Sequence, residues 1–311
     1  MQYSSKIPHP MLAKAKRQGV RMIASDIDWT IRDPNDARYD MSSAQQLCSR
    51  IMKRGIYTLI LTGRDASFQR DFVPGIRTFL KKNSMTLPLY AGCANGGSLY
   101  EISAYGIQML YLYGLADDEV DSCISIVSKS MDTLHLHREN FQPQGITVFI
   151  KFLSTSWNGI IPTNLLAKAK KFKGIVFCEK SKVSFVLPKN PAKSDALLSG
   201  IRTLLPKRYS VKTDQEYGHI TRARTDDGKL IDKSFALQYV CKTTRTTLAH
   251  VVIFGGVLDE IDRRMLTRCP YGFTNQKEYT PINPGKPPFK LNGKTSPVAL
   301  VHEAISYLIN E

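Results

Sequence analysis

The chain of 311 residues is 42% hydrophobic, which suits one large globular domain or two ordinary ones and argues against disorder. Its formal charge of +16 favours anionic partners by long-range attraction without naming the anion. Six cysteines, at positions 48, 93, 123, 178, 241 and 269, show no Cys-x-x-Cys spacing, so neither a zinc site nor a disulfide framework is indicated, and no stretch approaches the roughly 20 apolar residues of a membrane span. Reduced thiols in a cytoplasmic protein are the simplest reading.

The basic clusters Lys14-Ala15-Lys16-Arg17 and Lys168-Ala169-Lys170-Lys171-Phe172-Lys173 fall at helical positions and read as solvated faces. No zinc finger, RNA-recognition signature or interleaved Arg/aromatic stripe accompanies them, so nucleic acid is disfavoured as a partner. The apolar run Val20 to Ala24, broken only by Arg21, ends abruptly in Ser25-Asp26-Ile27-Asp28-Trp29-Thr30. A short apolar run of this kind is a buried strand, and in open α/β sheets ligands bind at the C-terminal rim to which it delivers its two acids. One acid could attack an electrophile while the other handles the proton, and the close negative pair would recruit a divalent cation.

Beyond the turn residues Pro34-Asn35-Asp36, Ser42 or Ser43 can cap a helix with Leu47, Ile51 and Met52 on its apolar side and Gly55 just past its end. Ile56 to Leu61 is a second buried strand stopped by Thr62-Gly63-Arg64, and the strand, helix, strand unit is a parallel crossover that brings Thr62 to the same rim as Asp26. Phe68 to Lys82 is helical and Leu87 to Ala91 is a third strand. The glycines of Ala94-Asn95-Gly96-Gly97 then mark a turn or hinge.

The texture changes after that hinge. Helices are expected at Asp117 to Met131, Thr163 to Phe172 and Ala192 to Leu205. Strands are expected at Gly145 to Leu153, Ile175 to Cys178, Lys182 to Leu187, Tyr209 to Lys212 and Gly218 to Arg222. Helix, strand, strand, repeated, is a small sheet with helices on one face, taken as an inserted α+β domain over 103–227 within a core of 1–102 and 228–311. The first texture returns with a helix headed by Lys233, then a fourth strand, Val251 to Phe254, ending in Gly255-Gly256-Val257-Leu258-Asp259-Glu260. A fifth strand near Tyr271 to Phe273, a non-helical Pro-rich passage and a closing helix from Pro297 to Ile309 complete the chain.

Together these pieces resemble the haloacid dehalogenase superfamily, in the branch with a large α/β cap inserted after the third core strand. That branch includes the Cof-type sugar phosphatases, sucrose-phosphatase and phosphomannomutase. Its Asp-x-Asp-x-Thr motif matches Asp26, Asp28 and Thr30; its second motif matches Thr62 with Gly63 and Arg64; its Asn-Gly hinge matches Asn95 and Gly96; and its third-motif Lys matches Lys233. The resemblance implies an α/β, Rossmann-like parallel-sheet core with an inserted cap. The fourth motif departs: Gly256 stands where the family has its first acid, leaving Asp259 and Glu260, and Trp29 stands where a Gly is common.

The implied activity is Mg2+-dependent hydrolysis of a small phosphorylated metabolite, such as a sugar phosphate, through an aspartyl-phosphate. Asp26 is the nucleophile, Asp28 the acid and base, and Thr62 and Lys233 bind phosphoryl oxygens. Thr30, Gly63, Arg64, Asn95 and Gly96 stand on the substrate side, and Asp26, Asp28, Asp259 and Glu260 are the metal candidates. The alternative is a catalytically weak or inactive relative that binds a phosphorylated ligand or a macromolecular partner, having lost tight metal binding through Gly256.

Overall fold

The computed structural model describes residues 9–141, 175–179, 181–214, 217–256, 260–277, 279–280 and 285–309. The chain divides into two compact units. The first comprises Met1–Arg64, Phe68–Tyr111 and Asp232–Glu311; the second comprises Asp65–Ser67 and Leu112–Ile231.

Among the described residues, the first unit is built on an eight-stranded sheet. In chain order its strands are β1 (Met22–Ser25), β2 (Tyr57–Leu61), β3 (Leu89–Cys93), β4 (Ser98–Ile102) and β5 (Ile107–Leu112), and later β10 (Val251–Gly255), β11 (Tyr271–Thr274) and β12 (Phe289–Lys290). They lie in the order β12-β11-β10-β1-β2-β3-β4-β5. All neighbours from β12 to β3 are parallel, whereas β4 runs antiparallel to β3. The central strand β1 is buried along its whole length, as a parallel strand covered on both faces must be. Alternate residues serve opposite faces: Ile23, Ile60, Val252 and Phe254 join one apolar cluster, while Met22, Ala24, Leu59, Leu61 and Ile253 join the other.

The Met41–Lys53 helix covers the first of these faces, burying Ala44, Leu47, Cys48, Ile51 and Met52 at helical spacing. Each large apolar side chain so buried contributes about 1.5–3 kcal/mol, and truncating Leu47 to Ala would cost about 2–5 kcal/mol. Its N-cap is Asp40, whose carboxylate accepts from the Ser43 N–H at 2.8 Å, and not Ser42 or Ser43. The expected Phe68 to Lys82 helix is two, Ala66–Asp71 and Val73–Lys82, because Pro74 is tolerated only in a first helical turn, where no N–H is needed. The basic Lys14 to Arg17 cluster lies in a Pro10–Gln18 helix, with Pro10 in its first turn and His9 accepting from the Met11 N–H at 3.2 Å.

The stretch after β3 is more than a hinge. Ala94 to Gly97 is a tight turn, after which β4 and β5 continue the sheet. The first unit therefore runs on to Tyr111 and resumes at Asp232, whereas the sequence reading put these changes at 102/103 and 227/228.

Among the described residues, the second unit carries a four-stranded antiparallel sheet, β6 (Val176–Glu179), β7 (Lys182–Val186), β8 (Tyr209–Asp214) and β9 (Tyr217–Arg222), in the order β6-β7-β9-β8. Helices Asp117–Thr133 and Pro191–Leu204 pack against it, with Ile124, Val127, Leu197 and Ile201 joining Val183, Phe185 and Ile220 in one core. At Gly218 a Cβ would lie 2.3 Å from the Phe185 ring, so a side chain there would displace the ring. The expected strand Gly145 to Leu153 and helix Thr163 to Phe172 lie outside the described residues. Among the described residues, five cysteines are buried free thiols and no helix is long and apolar enough to cross a membrane.

Candidate active site

Asp26 continues the central ladder one residue past β1, its N–H donating to Phe254 O at 3.1 Å. Its carboxylate, 16% exposed, lies 3.3 Å from Lys233 Nζ, which also donates to Asp262 Oδ1 at 2.6 Å. Burial pushes the Asp26 pKa up to about 7. Lys233 and the Ile27 N–H pull it down, but the negative charges of Asp262 and Asp28 push it further up.

Lys233 begins the Lys233–Thr243 helix, whose N-cap Asp232 accepts from the Ser234 and Phe235 N–H groups at 2.9 and 3.0 Å. A buried cation at the positive end of a helix is unfavourable by itself. Two carboxylates compensate it, and a local rule broken in this way marks functional use. The helix start is fixed from below by Gly96, at φ +92°, where a Cβ would lie 2.1 Å from the Asp232 carbonyl oxygen. Only glycine permits that approach together with the left-handed backbone.

The second carboxylate, Asp28, is clamped. Arg32 donates from an NH group to Oδ1 at 2.6 Å, and Arg64 forms a fork, Nε to Oδ2 at 2.5 Å and NH to Oδ1 at 3.0 Å. Such paired guanidinium contacts are among the strongest neutralising contacts a carboxylate makes. Arg64 was expected on the substrate side, and Arg32 is a participant that sequence reasoning missed. The Thr62 hydroxyl accepts from the Arg64 N–H at 3.1 Å, which leaves its proton to be donated elsewhere. Thr30 is fully buried, and its hydroxyl has no partner among the described residues.

Gly63 and Asn95 meet at the same rim. A Cβ on Gly63 would touch the Asn95 amide oxygen at 3.4 Å. The Asn95 N–H donates to Thr62 O at 2.9 Å and the Ala94 N–H to Arg64 O at 2.9 Å. Ala94 and Asn95, the latter at φ +56°, thus hold the Thr62–Arg64 loop through the main chain, and Gly96 lets the start of the Lys233 helix approach closely.

Trp29 also has positive φ, +60°. Its N–H donates to Arg32 O at 2.7 Å, and its carbonyl accepts from Asn275 Nδ2 at 2.8 Å.

Of the metal candidates, Asp259 lies outside the described residues. Glu260 begins the Glu260–Thr267 helix, and Gly256 has no side chain to offer. Asp262, in the first turns of that helix, accepts from Lys233 Nζ at 2.6 Å, and its charge acts on Asp26. It follows Asp259 and Glu260 in a run of acids, of which those first two were the expected metal ligands. Among the described residues, no group of three or more His, Cys, Asp or Glu side chains is arranged as a metal site. Mg2+ nevertheless needs only one or two carboxylates, its other ligands being waters and substrate phosphate. The Asp26 and Asp262 carboxylates, crowded enough to raise the Asp26 pKa, are hard oxygen donors that fit such a cation in kind.

A family model described as haloacid dehalogenase-like hydrolase matches residues 23–275. Among solved structures, a haloacid dehalogenase-like hydrolase from Bacteroides thetaiotaomicron superposes with a TM-score of 0.63 at 15% identity, covering 93% of this chain and 99% of that one. A HAD/COF-like hydrolase from Plasmodium vivax gives 0.57 at 14% identity, covering 96% and 97%. An N-terminally truncated IMP-nucleotidase from Plasmodium falciparum gives 0.54 at 10% identity, covering 96% and 73%. At these identities the likeness is one of fold. The search of curated proteins returned no significant match.

Proposed function

Because the chain belongs to the haloacid dehalogenase-like hydrolase family, we propose that it is a Mg2+-dependent phosphatase of small phosphomonoesters working through an aspartyl-phosphate on Asp26. The observation that supports this most is the placement of Asp26: a partly exposed carboxylate at the end of the central strand, within 3.3 Å of a buried ammonium. The second unit then corresponds to the inserted cap of this branch, and the buried free thiols suit a reducing, cytoplasmic setting.

An Asp26 oxygen attacks phosphorus in line, and the bond from phosphorus to the leaving oxygen breaks as the new one forms. Asp28 gives its proton to the departing oxygen. It then takes one from the water that attacks the aspartyl-phosphate, which restores Asp26 and frees inorganic phosphate. Both Asp28 oxygens are taken by Arg32 and Arg64, so this role requires the guanidiniums to transfer to the incoming phosphate. Lys233 and Thr62 hold non-bridging oxygens. Asp26, Asp262 and the Asp28 main-chain carbonyl would hold Mg2+, which supplies charge neutralisation when bound.

A second reading has its own observation. The double clamp on Asp28, with Gly256 in place of an acid, also suits a chain that binds a phosphorylated ligand without turning it over. A screen of sugar phosphates, nucleoside monophosphates and an aryl phosphate, with and without Mg2+, separates the two. Metal-dependent turnover that disappears in Asp26→Asn supports the phosphatase. Saturable binding of a monoester with no turnover at any metal concentration supports the binder.

A further inference from the structure

Trp29 lies one residue beyond Asp28 and three beyond Asp26, in the left-handed region that glycine occupies at least cost. Nothing in the turn leaves it a choice of conformation. Its N–H is bound to Arg32 O, its carbonyl to the amide of buried Asn275, and Asp28 bridges to Arg32. A residue kept in a sparsely populated backbone state by surroundings that over-determine it is characteristic of functional sites.

What the turn holds in place is the backbone of a tryptophan that remains 38% exposed. Core packing does not require that. The Trp side chain has only two rotatable bonds, so a fixed backbone makes it a preorganised flat surface that loses little entropy on contact. It follows directly on Asp28, the carboxylate clamped by Arg32 and Arg64, at which a phosphomonoester would react.

We infer that Trp29 is a specificity-determining residue, a stacking platform for a planar aromatic or heteroaromatic ring in the leaving group. The preferred substrates are then nucleoside or aryl monophosphates and not aliphatic ones. This inference rests on the phosphatase reading and narrows its substrate class. Stacking of one base on an aromatic side chain commonly changes affinity by about tenfold or more.

The test compares the parent with Trp29→Gly, which occupies positive φ without strain, and Trp29→Phe, which keeps a ring. The substrates are adenosine monophosphate, glucose 6-phosphate and glycerol phosphate. The expected result is that Trp29→Gly lowers the ratio of kcat/KM for the nucleotide over that for glycerol phosphate by about tenfold, chiefly through KM, and that Trp29→Phe restores most of it. A ratio unchanged within about twofold overturns the inference while leaving the phosphatase reading intact. A loss confined to glucose 6-phosphate overturns the planar-ring assignment in favour of a sugar face.

A second readout needs no turnover. The chain has two tryptophans, Trp29 and Trp157. In an Asp26→Asn, Trp157→Phe protein, adenosine monophosphate should quench Trp29 emission saturably and glycerol phosphate should not. Hydrolysis of none of the three esters by the parent contradicts the phosphatase reading, and absence of quenching contradicts the platform.

Discussion

Two carboxylates, one in each unit, have opposite fates. In the second unit, burial works against the charge of Glu119, but the Ala116 N–H, the Tyr209 hydroxyl and the Arg222 guanidinium together hold its pKa below the ordinary range. In the first unit, burial raises Asp26, Lys233 is shared with Asp262, and neighbouring negative charges raise it further. Glu119 has enough donors to be comfortably ionised and serves the fold. Asp26 is under-supplied with positive charge, a condition that a bound cation and an electrophilic phosphorus would relieve.

The comparison breaks most severely at Asp26. Replacing it by Asn should reduce phosphomonoester turnover by about 10³-fold or more, measured as phosphate release with deamidation excluded by mass spectrometry. The same variant should be more stable than the parent at pH 8 by about 1–2 kcal/mol. The folded chain holds the Asp26 proton up to about pH 7 whereas the unfolded chain loses it near pH 4, so the parent loses stability relative to Asn as pH rises between these values. Chemical denaturation at pH 5 and pH 8 checks the sign.

Lys233→Met removes the cation that Asp26 and Asp262 share. Turnover should fall by about 10²-fold, the order lost when a preorganised charge at a developing anion is removed. Stability should fall by about 3 kcal/mol, since two buried carboxylates are left uncompensated. Adding Asp262→Asn to this variant should recover part of the stability and none of the activity. A double variant no more stable than the single one would contradict the shared pairing.

Glu119→Gln sharpens the contrast from the other unit. It should destabilise the protein by about 1–3 kcal/mol at pH 7 and leave turnover of the folded enzyme unchanged. Because the Glu119 pKa is lower in the folded than in the unfolded chain, its contribution is present above about pH 4 and disappears as pH falls through the folded value. Denaturation curves of parent and variant should therefore converge in acid.

The smallest effect is expected from Arg32→Ala. It leaves Arg64 on Asp28 and should change kcat/KM by about tenfold or less. A larger effect confined to KM would assign Arg32 to the substrate.

Much of this contrast was legible in the sequence, for physical reasons. Asp26, Asp28 and Thr62 could be placed because short apolar runs stop abruptly before them, and a buried parallel strand allows its end residues only one rim. Lys233 could be placed because the sequence shows a helix headed by it after the second unit and the family resemblance assigns a lysine there to its third motif. Asp262 could not, since its place depends on where the Glu260–Thr267 helix begins. The Arg32 clamp was equally hidden. It depends on Trp29 adopting a positive φ, which no propensity would assign to a tryptophan. β4 and β5 were missed because the glycines before them read as a hinge, whereas the turn they make reverses the chain onto the sheet edge.

The central claim is that Asp26 becomes phosphorylated, and the most direct measurement is acid quenching during turnover of a phosphomonoester with Mg2+, followed by peptide mass spectrometry. A phosphoryl group on the peptide containing Asp26, absent when Asp26→Asn is treated in the same way, is the predicted result. Phosphate release at an undiminished rate by Asp26→Asn, with no phosphoryl group on that peptide in the parent, would contradict it.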